Sequence, residues 1–134
     1  MIYWTGALYT SATLTGNGNS GWFGVPHANI FGGMRRAILR LVPADLATDE
    51  ELGLDLNVAW DSAGSGDVKV HDFTQVTATN VAETLVLPGG ESVGNLTVGA
   101  DLLPSLIPPW WKLTWTLVGT TKSMSFILYA TIGI

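Results

Sequence analysis

No cysteine occurs anywhere in the chain, which excludes disulfides, thiolate metal ligands and a cysteine nucleophile together. The 134 residues are enough to bury one core without such staples. Charge is nearly as scarce, at 13% of residues against roughly 25% in an average soluble domain. A surface so poor in charge suits association better than life as a free monomer, because like-charged surfaces keep proteins apart. Cations are the rarer sign: Arg35, Arg36, Arg40, Lys69, Lys112 and Lys122 are the whole set, and the net charge is −5. That balance excludes the basic footprint of a nucleic-acid binder. The Arg35, Arg36 and Arg40 cluster reads as a solvated strand face, or as partners of the acidic segment that follows, rather than a phosphate site. Residues 1–6 lack the basic and apolar regions of a signal peptide. No window reaches the roughly 18 apolar residues of a membrane span. The expectation is a product made in the cytoplasm, with neither membrane nor nucleic acid as partner.

Motifs of chemistry are missing as well. Gly16-Asn17-Gly18-Asn19-Ser20-Gly21 matches G-x-G-x-x-G by letters. The phosphate cradle needs a following helix, and Trp22-Phe23-Gly24-Val25-Pro26 cannot open one well; the stretch reads as a flexible turn. Gly64-Ser65-Gly66 lacks the strand-to-helix elbow that exposes a serine nucleophile. Asp67, Lys69 and His71 would share one face of a strand, but a catalytic metal wants about three protein ligands and the only other histidine is His27. Asp49, Glu50, Glu51 and Asp55 are too close along the chain to flank a scissile bond from opposite sides. Asn95-Leu96-Thr97 is a glycosylation pattern without a secretory route. The sequence therefore predicts no enzyme, with no catalytic, cofactor-binding or metal residue and no cofactor.

What the chain has is alternation. Trp111, Leu113, Trp115 and Leu117 fall on one face of a strand, and Met124, Phe126, Leu128, Ala130 and Ile132 on one face of the next, around a glycine-containing break. This pattern predicts a closing β-hairpin with one face in a core. Leu54, Leu56, Val58 and Trp60 alternate in the same way before a turn at residues 61–67. Further strands are expected near residues 2–14, at 34–42 with Pro43 ending it, at 68–77, at 81–87 and at 95–98. Three prolines make residues 101–109 an irregular crossing, and residues 43–52 allow at most a helical turn or an acidic loop. About eight strands with regular turn signals and little or no helix predict a single all-β domain over residues 1–134, an antiparallel β-sandwich of jelly-roll-like form. Of the six tryptophans, Trp60, Trp111 and Trp115 are assigned to the core. Trp4, Trp22 and Trp110, with Phe23 and His27, fall at strand ends and loops and are the expected partner interface.

From Leu54 onward the chain resembles small β-sandwich virion proteins of tailed bacteriophages. The resemblance is carried by Asp55-Leu56-Asn57-Val58-Ala59-Trp60-Asp61, by Leu85-Val86-Leu87-Pro88, and by Trp111-Lys112-Leu113-Thr114-Trp115-Thr116-Leu117-Val118-Gly119-Thr120 with the Ser125-Phe126 strand after it. It covers residues 54–134 and brings no site residues with it. It implies a capsid decoration or cement protein on the virion surface that forms a homo-oligomer, a trimer in the favoured form, and contacts the major capsid protein. Residues 1–20 would then be available as an assembly arm. A tail, baseplate or neck component is the alternative within the same class, and a carbohydrate-binding module using exposed tryptophan and Asn/Asp loops is the alternative outside it.

Overall fold

The computed structural model describes residues 2–25, 36–45, 49–76, 83–87, 92–93, 107–120 and 123–133. Ten strands lie within them: β1 (Ile2–Thr10), β2 (Gly18–Asn19), β3 (Phe23–Gly24), β4 (Arg36–Ala44), β5 (Glu51–Ala59), β6 (Val68–Val76), β7 (Glu83–Leu87), β8 (Ser92–Val93), β9 (Trp110–Val118) and β10 (Ser125–Gly133). No helix occurs among the described residues. The expected strands at 34–42, 68–77 and 81–87 correspond to β4, β6 and β7. The one expected at 95–98 lies outside the described residues, as do His27, Arg35 and Lys122.

The strands form two antiparallel sheets. Sheet I runs β1-β10-β4-β7-β8, and sheet II runs β2-β9-β5-β6 with β3 also on β9. The pairing is nested: β1 takes β10, β2 and β3 take β9, β4 takes β7, and β5 takes β6. A long antiparallel ribbon wound so that alternate strand pairs fall in opposite sheets is a jelly roll. The fold is therefore the all-β sandwich that the alternation predicts.

The inner faces follow the period of two. Leu52, Leu54, Leu56 and Val58 of β5 lie in register with Leu117, Trp115, Leu113 and Trp111 of β9, all buried. In sheet I, Leu128, Ala130 and Ile132 of β10 pair with Leu41, Leu39 and Ala37 of β4, again all buried. Trp115 and Phe126 meet edge to face across the interior, with ring centroids 5.7 Å apart, and Tyr9 stands 5.8 Å from Phe126. Burying one such side chain contributes about 1.5–3 kcal/mol, so these rows are the main stabilising term.

Four expectations are corrected. First, β9 and β10 do not form a hairpin: one lies in sheet II, the other in sheet I, and the segment between them arches from sheet to sheet. Alternation reports which face of a strand is buried; two strands facing one core from opposite sheets satisfy it as well as two neighbours do. The arch is built around Gly119, whose φ is +133° and where a β-carbon would stand 2.7 Å from the Asp49 carbonyl oxygen. Asp49 Oδ2 accepts the Thr120 amide at 2.9 Å and the Thr120 hydroxyl as well. Second, Pro43 does not end its strand: β4 runs on to Ala44, with Pro43 opposite Phe126. Third, part of the expected flexible turn at residues 16–21 is strand β2, with Gly18 opposite Trp115 and Asn19 opposite Thr114. Fourth, Trp60 is not core. It follows the last residue of β5 and is 45% exposed, whereas Trp111 and Trp115 are 0% and 8% exposed.

Candidate interaction surface

The aromatic positions expected at a partner interface sit at strand ends and are half-buried. Trp4 leans on Gly6, where a β-carbon would be 3.3 Å from its ring, and packs against the core with Phe23. Phe23 stacks on Tyr9 with centroids 5.7 Å apart. Trp110 lies over Gly24, at 3.5 Å from a β-carbon built there. Trp22 covers Gly64 of the β5–β6 loop so closely that any β-carbon at Gly64 would collide with its Nε1. On its ring Trp22 carries Lys112 Nζ, 5.0 Å from the centroid. Each of these rings thus uses much of its surface inside the protein, pinning a loop or a strand end where glycine leaves room for an indole.

The β5–β6 loop has its own support. Asp61 Oδ1 accepts the amides of Ala63 and Ser65, both at 3.0 Å, and the Gly64 amide bonds to the Asp61 carbonyl at 3.1 Å. These bonds, that from Ser65 first, hold the Asp61 carboxyl below the usual carboxylate range.

The polar cluster on β6 is arranged differently from the expected Asp67, Lys69 and His71 face. Leu56 pairs with His71 while Asn57 pairs with Lys69, so Val70 is an extra residue in a bulge. Beyond the bulge the side chains change face. His71 turns inward, 4% exposed, with its ring edge-on to Phe73 at 4.7 Å. Asp72 takes its place outside, beside Lys69 at 3.1 Å, with Lys69 also 4.0 Å from Asp55. Asp67 joins the outer face through the Asn57 amide, which donates to its Oδ2 at 2.9 Å. Among the described residues no group of three or more His, Cys, Asp or Glu could hold a metal ion.

Asp55 and Asp72 are directly opposed across β5 and β6. Burial pushes the Asp55 carboxyl up to about 6; the hydrogen bond with Asp72 and the negative charge of Asp72 add to this, while Lys69 and His71 oppose it. Asp72 moves down, chiefly because it accepts the hydrogen bond from Asp55, with Lys69 assisting and burial opposing. Lys69 is raised, first by its hydrogen bond to Asp72 and then by the charges of Asp55 and Asp72. Asp55 holds its proton more tightly folded than unfolded, where about 3.9 is usual. Its effect is therefore a destabilisation present above about pH 6 and relieved as pH falls toward 4. Asp72 has the opposite sign: it supports the fold above the ordinary carboxylate range and loses that support as pH falls through its own lowered value. Asp55→Asn should raise unfolding stability near neutral pH. The side chain is 41% exposed, so after discounting for solvent screening the gain is on the order of 1 kcal/mol. Urea unfolding at about pH 7 and pH 5 checks this, because the gain should shrink at the lower pH.

The two outer faces of the sandwich differ in kind. That of sheet II is polar, with Glu51, Asp55, Asn57, Asp67, Lys69, Asp72, Lys112 and Thr114 beside the exposed Val118. That of sheet I mixes apolar and hydroxyl side chains with little charge among its described residues. Ala7, Tyr129, Arg40 and Thr84 form one cross-strand row, and Thr5, Thr131 and Ile38 the next. Ile38 and Tyr129 are each 41% exposed, Val42 and Ile127 are half-buried, and the Thr5 and Thr131 hydroxyls meet at 3.0 Å. Arg40 is the charge among the described side chains of this face. Sequence reasoning missed the contrast, although Ile127 and Tyr129 stand at the outward positions of a strand whose inward positions it read correctly, and Ile38 and Val42 lie on a strand whose facing it did not assign.

The strand order defines the class of the protein, an all-β jelly-roll sandwich. No protein-family model and no curated protein matches the chain. Among solved structures, a chain of the Cowpea mosaic virus top component, naturally occurring empty particles, is similar at 8% identity with a TM-score of 0.41, over 85% of this chain. This chain spans 57% of the length of that one. The likeness is distant, and the fold assignment rests on this chain's own strand order. Among the described residues no helix is long and apolar enough to cross a membrane.

Proposed function

We propose that the chain is a non-enzymatic structural protein of a tailed-phage virion, a capsid decoration or cement subunit that oligomerises and stabilises the head shell by binding the major capsid protein. The observation that carries this reading is the outer face of sheet I, where Ile38, Tyr129, Ile127 and Val42 surround Arg40, against an acidic and polar outer face on sheet II. A face of apolar and hydroxyl side chains, with Arg40 the charge among its described side chains, suits a broad protein contact. Many weak copies of such a contact, repeated over a shell, stabilise it by avidity without chemistry. The sequence resemblance over residues 54–134 supports the virion as the setting. Jelly rolls also serve unrelated functions, so the fold contributes only by analogy.

In this reading the favoured oligomer is a trimer on the capsid surface. Residues 1–20 contribute an assembly element, in which β1 stands at the end of sheet I. Trp4, Trp22, Phe23 and Trp110 are contacts at strand ends, subordinate to the sheet face, and His27, outside the described residues, is a further contact in this reading. Quantitative mass spectrometry of purified particles tests the reading. A copy number comparable with that of the major capsid protein is expected; a few copies per particle would move the chain to the tail, baseplate or neck, and absence from particles would end the virion reading.

A further inference from the structure

Between β1 and β2 the chain folds over the edge of β9 and leaves an open cleft of about 360 Å³, lined by Tyr9, residues 12–19 and Trp115. We propose that this cleft binds a neutral saccharide. The size lies within the usual range of small-molecule sites, about 300–1,000 Å³. No lining side chain is ionic: Thr13, Thr15, Asn17 and Asn19 supply hydroxyls and amides, and Tyr9 and Trp115 supply aromatic rings.

That lining selects by chemistry. A charged ligand would lose its hydration with no opposite charge to replace it. A purely apolar ligand would strip water from the threonine and asparagine groups without giving hydrogen bonds back. A sugar ring meets both conditions, since its hydroxyls pair with side-chain hydroxyls and amides while its C–H groups rest on the part of half-buried Tyr9 that the core leaves open; Trp115, 8% exposed, forms the floor rather than a stacking platform.

The cleft is also held in shape before any ligand arrives. The Leu14 amide donates to the Met124 carbonyl at 2.7 Å, and Asn17 Oδ1 accepts the Leu117 amide at 2.9 Å. Asn19 Oδ1 accepts the Gly21 amide at 2.8 Å. Gly18 lies flat on the indole, 3.1 Å separating Trp115 Nε1 from a β-carbon built there. Anchoring of this kind reduces the ordering cost of binding. The site is distinct from the sheet I face and does not rest on the virion reading.

Gly16 offers a clean test. It lines the cleft, and a β-carbon there meets no atom within 4 Å, so a side chain can start from Gly16 without a clash, and Gly16→Trp adds the bulk meant to fill the space. Saturation-transfer NMR on the full chain with maltotriose, cellotriose and chitotriose should show transfer to at least one of them, and none to the anionic sialyllactose. Gly16→Trp should weaken that binding at least about tenfold with an unchanged circular dichroism spectrum. Thr15→Val, which keeps the side-chain shape and removes the hydroxyl, should weaken it too and decides the matter if Gly16→Trp misfolds. Transfer to none of the neutral sugars, equal transfer to sialyllactose, or binding indifferent to a folded Gly16→Trp or to Thr15→Val would each overturn the proposal.

Discussion

Trp111→Ala is expected to lower unfolding stability by about 4–5 kcal/mol, a large share of the roughly 5–15 kcal/mol that holds a typical domain folded. The ring is fully buried in the row it shares with Val58 and Phe23, and its Nε1 donates to the Pro108 carbonyl at 2.8 Å. Truncation leaves a cavity the size of an indole between rigid strands, and it leaves the Pro108 carbonyl without that donor in a buried setting. Trp60→Ala makes the comparison sharp. Both tryptophans fall on alternating registers in the sequence, yet Trp60 is 45% exposed, and its loss should cost no more than about 0.5 kcal/mol. Urea denaturation of the two variants measures the difference. Equal destabilisation would place both rings in the core and contradict the exposure of Trp60.

The second large effect is functional. Ile38→Asp, two residues from Arg40 on β4, and Tyr129→Asp, opposite Arg40 on β10, each put a carboxylate on the outer face of sheet I. Because both side chains point away from the core, the fold should survive with small stability changes, while binding to particles lacking the protein falls at least about tenfold in co-sedimentation. Val118→Asp, at an exposed position of sheet II, should leave binding unchanged. Loss of binding in the sheet II variant with retention in the sheet I variants would assign the contact to the other face.

How much of this was legible in the sequence depends on what a local pattern encodes. Period-two alternation in β9 and β10 gave every inward residue from Trp111 to Leu117 and from Met124 to Ile132, because facing is a property of one strand. Pairing is a property of two, and the arch at Gly119 was misread as a hairpin for that reason. The bulge at Val70 was invisible: nothing in Val68-Lys69-Val70-His71-Asp72 marks the extra residue, so strict alternation puts His71 rather than Asp72 on the face of Asp67 and Lys69. Trp60 was carried inward by extending the alternation one step past the end of β5. The cleft was hidden by composition, since glycine and asparagine at residues 16–19 read as a flexible turn. A sharper signal was available there, in Asn17 and Asn19 as side chains able to accept backbone amides. The sheet I face needed the outward positions of β10, and the facing of β4 as a whole, to be read as well.

Imaging of purified particles at a resolution that orients the sandwich tests the central claim most directly. Density for this chain on the head, with the Ile38, Arg40 and Tyr129 face of sheet I turned toward the shell, is the expected result. A sandwich seated on the polar Asp55 and Asp72 face of sheet II, or particles with no density for the chain, would contradict it.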